Sequence, residues 1–250
     1  MQDDTAVGYD SAAVKVKTLL VSFVTALSAV LLPRASYYIE HGQKDEFERV
    51  SRKALNFTVL IALPVAVYFI LYARESIFLL SSEAFEAATL PMQIIMPTVL
   101  LIGLTNVLGI QILVPLGKEK LVFISVLVGA VVDFAINLLC IPFFSVAGAA
   151  FGTLIAELSV LIVQLIMMRK QIQGLFSDIR LLKVSVATVL AAVASLGIKL
   201  MSLGSLPALV LSVGIFLIVY AFCLLVMKEP LFRELLESTI IKKLCDKERH

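Results

Sequence analysis

Long uninterrupted stretches of apolar residues, separated by short charged segments, dominate the chain. A helix needs about 20 mainly apolar residues to cross the hydrocarbon core of a membrane. Stretches of about that length cover residues 11–32, 54–73, 88–114, 121–142, 146–168, 184–202 and 207–227. Because lipid cannot satisfy free backbone groups, each stretch is predicted to be a helix that spans the membrane.

The pattern within and between these stretches favours an all-α fold. Runs such as residues 160–163 are continuously apolar, whereas a transmembrane β-barrel alternates apolar and polar residues. Turn residues separate the stretches, with Pro33 after the first, Gly117 after the third and Pro142 at the end of the fourth. The third stretch contains Pro97 and is long enough to be kinked or tilted.

Composition agrees with a polytopic membrane protein. Of the 250 residues, 60% are apolar and 16% are charged, whereas soluble domains have about 45–50% and about 25%. The net charge of +2 gives no reason to expect a nucleic-acid partner. Three widely spaced cysteines and two histidines do not form a motif for a disulfide framework or a metal site. We therefore expect neither a cofactor nor a metal.

The positively charged residues are concentrated in the loops on one side of the membrane. Of the 21 Lys and Arg residues, 17 fall in alternate loops and in the C-terminal tail, and only Arg74 and Lys199 fall on the opposite side. Loops rich in Lys and Arg stay in the cytoplasm. The charge pattern therefore predicts that the N-terminus is outside and the C-terminus inside.

Two of these inside segments have helical patterns. Residues 44–53 place Asp45 and Arg49, and also Glu48 and Arg52, four positions apart, a spacing that supports a surface helix. The tail, residues 228–250, can gather its apolar side chains on one face and lie in the headgroup layer. The alternative for both is a solvated charged face without a partner.

Several polar residues fall inside the predicted spans. A charge within a membrane is costly and is a functional hypothesis by default, although polar groups also bridge helices. The charged residues are Lys15, Lys17, Asp133 and Glu157, and the amides are Asn106, Gln111, Asn137 and Gln164. Both lysines are shallow enough to reach the outer surface. They point in different directions on a helix, so which of them faces a cavity stays open.

Small residues recur every fourth position in the fifth span, at Gly148, Gly152 and Ala156. Such a strip lets another helix approach closely, so helix packing is its predicted role. Glu157 adjoins the strip and is expected to face protein rather than lipid.

Three segments carry a family resemblance. They are VGYDSAAVK at 7–15, followed by LLPR at 31–34; GLTNVLGIQILVPLGK at 103–118; and GAAFGTLIAE at 148–157. Together they resemble the polysaccharide flippases of the multidrug/oligosaccharidyl-lipid/polysaccharide exporter superfamily, over about residues 7–170. The resemblance implies two six-helix bundles and two further helices, fourteen in all, of which this chain begins at the eighth. It also implies that the eighth helix starts outside, as the loop charges predict.

The resemblance implies the substrate and the roles of the polar residues. The substrate class is a polyprenyl diphosphate carrying sugars, flipped across the bacterial cytoplasmic membrane in cell-surface polysaccharide biosynthesis by a transporter that is not an enzyme. Residues 1–170 would form part of the C-terminal bundle, and residues 171–227 would form two additional helices. An N-terminal half would be a missing partner. We expect Lys15, Lys17, Asn106 and Gln111 to bind the headgroup, and Asp133 and Glu157 to balance charge or bind a coupling proton.

Other functions fit the sequence less well. A small-molecule antiporter of the same superfamily stays open as an alternative. A seven-helix receptor is disfavoured because the last span, 207–227, has no lysine for a retinal Schiff base and no extracellular cysteine pair is available. A membrane-bound glycosyltransferase would need interfacial carboxylates, but Asp45, Glu46 and Glu48 lie among basic residues and are better interpreted as surface charge.

Overall fold

The computed structural model describes residues 4–29, 31–81, 83–169, 181–201 and 204–234, and the regular elements in these ranges are all helical. The α-helices are α1 (Asp4–Ala29), α2 (Leu32–Glu40), α3 (Lys44–Leu71), α4 (Ala73–Leu80), α5 (Thr89–Ile95), α6 (Thr98–Asn106), α7 (Glu119–Met168), α8 (Leu181–Leu196) and α9 (Ser205–Val226). Two 3₁₀ segments, Glu83–Ala88 and Gly197–Met201, and a π-helix, Val107–Leu113, complete the order. The predicted all-α class is confirmed.

Where the structure describes them, the predicted spans are largely helical, although not each is a separate straight helix. Four described helices are long and apolar enough to cross a membrane: α3, α7, α9 and a helix over Leu181–Lys199. The pair Ala84–Ile95 and Thr98–Leu113, bent by 42°, adds a fifth. This bend at Met96 and Pro97 confirms that the third stretch is kinked. Helix α1, which contains both intramembrane lysines, is not among the helices that meet this criterion.

Helix α7 folds back on itself and so accounts for two predicted spans. Its 50 residues would extend about 75 Å if straight, more than twice the membrane core of about 30 Å. Ser145 breaks it with φ of 50° and ψ of −125°. The arms, 119–144 and 146–168, then run antiparallel, since Gln164 donates a hydrogen bond to Ser125 (3.2 Å). The gap between the predicted spans 121–142 and 146–168 contains Ser145, while Pro142 itself is within the helix.

The charged segment 44–53 is helical, as predicted, but it is not a separate surface helix. It forms the first turns of α3, which continues through the membrane segment and past Pro64. The Glu48–Arg52 ion pair forms at 3.2 Å. Arg49 pairs with Glu46 at 2.6 Å, three positions away, instead of with Asp45.

Helices α8 and α9 pack against α3 through tyrosine hydroxyl groups. Tyr68 of α3 lies 2.8 Å from the hydroxyl of Ser212 on α9. Tyr72 donates to the Ser195 carbonyl on α8 at 2.6 Å, and Tyr220 of α9 donates to the Leu60 carbonyl on α3 at 2.7 Å. Helices α8 and α9 are therefore attached to α3 by the hydrogen bonds of three tyrosines.

Removing one of these hydroxyls tests how strongly they hold the helices. Tyr72→Phe is expected to destabilise the protein by about 1 kcal/mol, because hydrogen bonds between membrane helices contribute about that much. Thermal unfolding in detergent measures the change. Tyr37→Phe is the matched control, since that ring is 52% exposed. Equal unfolding temperatures for the wild type and both variants would show that the Tyr72 bond is energetically neutral.

Ion pairs collect at the two ends of the bundle. At one end Arg74 pairs with Glu86 at 2.8 Å, and Lys199 binds Glu75 and the Leu71 carbonyl. At the other end Lys53 pairs with Glu234 at 2.6 Å. Arg74 and Lys199 are the two cations that the charge pattern placed together on one side. The predicted amphipathic tail is described only to residue 234, where 230–234 are helical, and its remainder lies outside the described residues.

Candidate functional site in the membrane interior

The polar residues of the spans meet at a cavity of about 420 Å³ between α6 and the two arms of α7. Asp133 comes from the first arm, Glu157 from the second and Asn106 from the end of α6. Three further polar residues line it, namely Thr105, Thr153 and Gln164. We call it the ionisable cavity, because two carboxylates are among the residues that line it.

Close packing of the α7 arms brings the two carboxylates together. A Cβ atom on Gly148 would lie 2.6 Å from the carbonyl oxygen of Cys140. A Cβ on Gly152 would collide with Asn137, and one on Gly129 with Val160. Only glycine permits such a close approach of the arms.

The predicted strip of Gly148, Gly152 and Ala156 lies on this contact between the arms. Ala156 is 8% exposed, and its carbonyl oxygen would be 3.4 Å from a Cβ on Gly129. Gly129 was missed by the sequence reasoning, because its contact depends on the register of the two arms. The strip packs against the other arm of the same hairpin.

The two lysines of α1 differ in position. Lys17 is half-buried, and its charge acts on Glu157, as does that of Asp133. Lys15 is exposed on another face of the helix. Lys17 is therefore within electrostatic range of Glu157, although it does not line the ionisable cavity itself. One cation beside two carboxylates leaves one negative charge uncompensated if all three are ionised.

Unpartnered polar atoms mark the same region. Within the described residues, Oδ1 of Asp133, Oδ1 of Asn137 and Oε1 of Gln164 are buried without a hydrogen-bond partner. Burying a polar atom without a partner is costly. A water molecule or a hydrogen-bond donor of a substrate that reached these oxygen atoms would be bound favourably.

Gln111 lies apart from the ionisable cavity. It sits in the π-helix, is 2% exposed, and neither its nitrogen nor its oxygen has a partner. It lines a second cavity of about 330 Å³ with Ser22, Thr25 and Asn106. Asn106 therefore borders both cavities.

In the described ranges, no three His, Cys, Asp or Glu side chains come together to hold a metal.

Ser22 and Thr25 were not singled out from the sequence. A signal was present, since Ser11, Lys15, Thr18, Ser22 and Thr25 recur at alternating spacings of four and three along α1. That spacing places them on one helix face. The apolar surroundings of each hydroxyl hid this pattern.

A comparison with known protein families shows which family the chain belongs to. The sequence model described as lipid II flippase MurJ matches residues 4–222. This chain belongs to the MurJ family. The match confirms the predicted superfamily of lipid-linked flippases and exporters.

Known relatives share the fold over part of their length. The MurJ-family chain resembles a solved lipid II flippase MurJ in an inward closed conformation, with a TM-score of 0.73 and 16% identity, over 92% of this chain and 48% of that one. It is also 24% identical over 168 residues to an uncharacterised membrane protein of Methanocaldococcus jannaschii, which covers 67% of this chain and 33% of that protein. The chain thus spans about half of the solved structure and a third of the curated relative.

Proposed function

We propose that this chain supplies one of the two bundles of a flippase that moves a polyprenyl-diphosphate-linked saccharide across the cytoplasmic membrane. The observation that carries the proposal is a pair of carboxylates that line one cavity inside the membrane segment of a MurJ-family chain, with Lys17 within electrostatic range of Glu157. Intramembrane charges of this kind mark substrate and ion pathways. The family's description as lipid II flippases supports a lipid-linked precursor as substrate. That the saccharide serves cell-surface polysaccharide biosynthesis is our finer proposal.

The lipid part of such a substrate needs an apolar route at the side of the protein. A groove of about 530 Å³ between α1, α3 and α9 has this character. Phe23, Pro64 and Phe216 line it, and its polar groups are the hydroxyls of Tyr68 and Tyr220. Both of these hydroxyls already bond to protein. We assign this groove, called the lipid groove below, to the polyprenyl chain.

The ionisable cavity would serve the charged part of the reaction cycle. Lys17 contacts the diphosphate, while Asp133 or Glu157 balances its charge or carries a coupling proton. Asn106 contributes a polar contact between the two cavities. Alternating access then moves this bundle against a second one. Lys15, on the exposed face, plays at most a secondary part in headgroup binding.

The arrangement in the membrane follows from the loop charges. We propose that the N-terminus is outside and the C-terminus inside, with residues 1–170 as the transport bundle, 171–227 as two additional helices and 228–250 as a cytoplasmic tail. Labelling from outside of a cysteine at position 118 would contradict this orientation. The second bundle comes from a partner half, either another chain or another part of a longer one.

Reconstitution into lipid vesicles tests the proposed function. The complete transporter that contains this chain is expected to move a fluorescent polyprenyl-diphosphate-linked disaccharide between leaflets, measured as protection of the sugar from an external lectin. The 250 residues alone are expected to move it no faster than empty vesicles, because the cavity needs a second bundle.

The same vesicles separate the alternatives. Rapid movement by the 250 residues alone would contradict the division of the site between two bundles. If the complete transporter moves an organic cation in exchange for protons but leaves the disaccharide in place, the protein is a small-molecule antiporter.

A further inference from the structure

The second cavity differs chemically from the ionisable cavity. Its polar lining consists of Ser22, Thr25, Asn106 and Gln111, and its other lining residues are the apolar Ala26, Leu32 and Ile110. All seven are uncharged. None of these seven residues offers a cation to a phosphate group, so the lining suits a neutral polar ligand.

The hydroxyl groups of Ser22 and Thr25, which belong to α1 and line this cavity, can only accept hydrogen bonds from a ligand. Ser22 donates its proton to the Thr18 carbonyl at 2.8 Å, and Thr25 donates to the Val21 carbonyl at 2.8 Å. Each hydroxyl has a single proton and two acceptor positions. The oxygens therefore offer lone pairs to the cavity, which an O–H or N–H donor can use and a phosphate oxygen cannot.

Gln111 is the second, independent sign of a ligand. Its side chain is 2% exposed and lines the cavity, yet neither amide atom has a partner in the described part of the chain. Leaving both atoms of a buried amide unpaired is unfavourable. A ligand that carries both donors and acceptors would satisfy this amide.

We propose that the second cavity is a subsite for the saccharide of the lipid-linked substrate, which it recognises through the hydroxyl or acetamido groups of a sugar and not through the diphosphate. This inference rests on the proposed function. The second cavity adjoins the ionisable cavity, because Asn106 and Ile110 line both. A diphosphate beside the ionisable cavity and a sugar ring at Ser22 and Thr25 would therefore occupy adjoining parts of one site.

Two probes that differ only in the sugar test the subsite. One is a polyprenyl diphosphate carrying a disaccharide, and the other is the same polyprenyl diphosphate without sugar. Binding of each to the complete transporter in nanodiscs is measured for the wild type, Gln111→Leu and Thr25→Val. We expect each variant to bind the glycosylated probe about tenfold more weakly and the bare probe unchanged, as the loss of a buried polar contact predicts.

The variants are chosen to preserve the fold. Gln111→Leu removes two atoms that have no partner, and Thr25→Val keeps the shape of the side chain. Thr18→Val is the matched control, because Thr18 makes the same bond to a carbonyl four residues earlier, at 2.8 Å, but lies outside the cavity.

The outcomes separate the subsite from the proposed function. Equal weakening for both probes, or no weakening for either, would overturn the saccharide subsite while leaving the flippase proposal intact. A wild-type transporter that binds neither probe would instead overturn the proposed function, and the subsite with it.

Discussion

Gly148→Val is expected to prevent the two arms of α7 from packing, and so to cause the largest loss of stability of any single change considered. The first added carbon would lie 2.6 Å from the carbonyl oxygen of Cys140 and 2.7 Å from its carbon. These are backbone atoms in a helix and cannot rotate away. Overpacking costs about 1–3 kcal/mol and occasionally more, and we expect the upper end here. Thermal unfolding of the purified protein in detergent measures the loss.

Gly214→Ala is the control for this change. Gly214 also lies within a membrane helix, α9, but a Cβ added there would meet nothing within 4 Å. Alanine favours a helix over glycine by about 1 kcal/mol, so this variant should be as stable as the wild type or more so. If both variants unfold at the wild-type temperature, the arms do not pack as closely as the structure shows.

Lys17→Met is expected to abolish most transport by the complete transporter, whereas Lys15→Met should leave the rate within about twofold, because Lys17 is half-buried within electrostatic range of Glu157 and Lys15 is exposed. A hydrogen bond to a charged group contributes about 1.5–3 kcal/mol, which corresponds to roughly ten- to a hundredfold in rate if lost in the limiting step. The initial rate of disaccharide flipping in vesicles measures both effects.

The alternative role of Lys17 is to neutralise the charge of Glu157 without contacting the substrate. A double variant distinguishes the two roles. Lys17→Met combined with Glu157→Gln removes both charges, so neither is left without its counterpart. If Lys17 is needed by the substrate, the double variant unfolds at the wild-type temperature but transports more slowly than Glu157→Gln alone, which is the control for the loss of the carboxylate. Recovery of flipping in the double variant would show that the lysine is structural.

The spans were predictable because membrane crossing imposes a length and an apolar composition that the sequence shows directly. The helical hairpin of α7 was predictable as two spans, since Pro142 marks its turn to within three residues of Ser145. The kink at Pro97 was predictable for the same reason. Each of these features depends on local sequence.

Features that depend on contacts between distant residues were not predictable. The choice between Lys17 and Lys15 required the rotation of α1 against α7, which no local pattern fixes. The bonds of Tyr68, Tyr72 and Tyr220 to other helices were missed, because a tyrosine in an apolar stretch has no local sign of its partner. The pairing of α8 and α9 with α3 therefore emerged only from the structure.

For the proposed flippase, the tyrosine bonds indicate which part of the substrate could drive the transport cycle. Tyr68 and Tyr220 join α3 to α9, which form two of the three walls of the lipid groove, so we expect these two walls to keep their separation while the bundle moves. A surface that keeps its shape has the same affinity for a polyprenyl chain in the inward and outward states. A ligand with equal affinity for two states does not shift the balance between them. The lipid would then hold the substrate on the transporter, and only its headgroup or a proton could favour one state over the other.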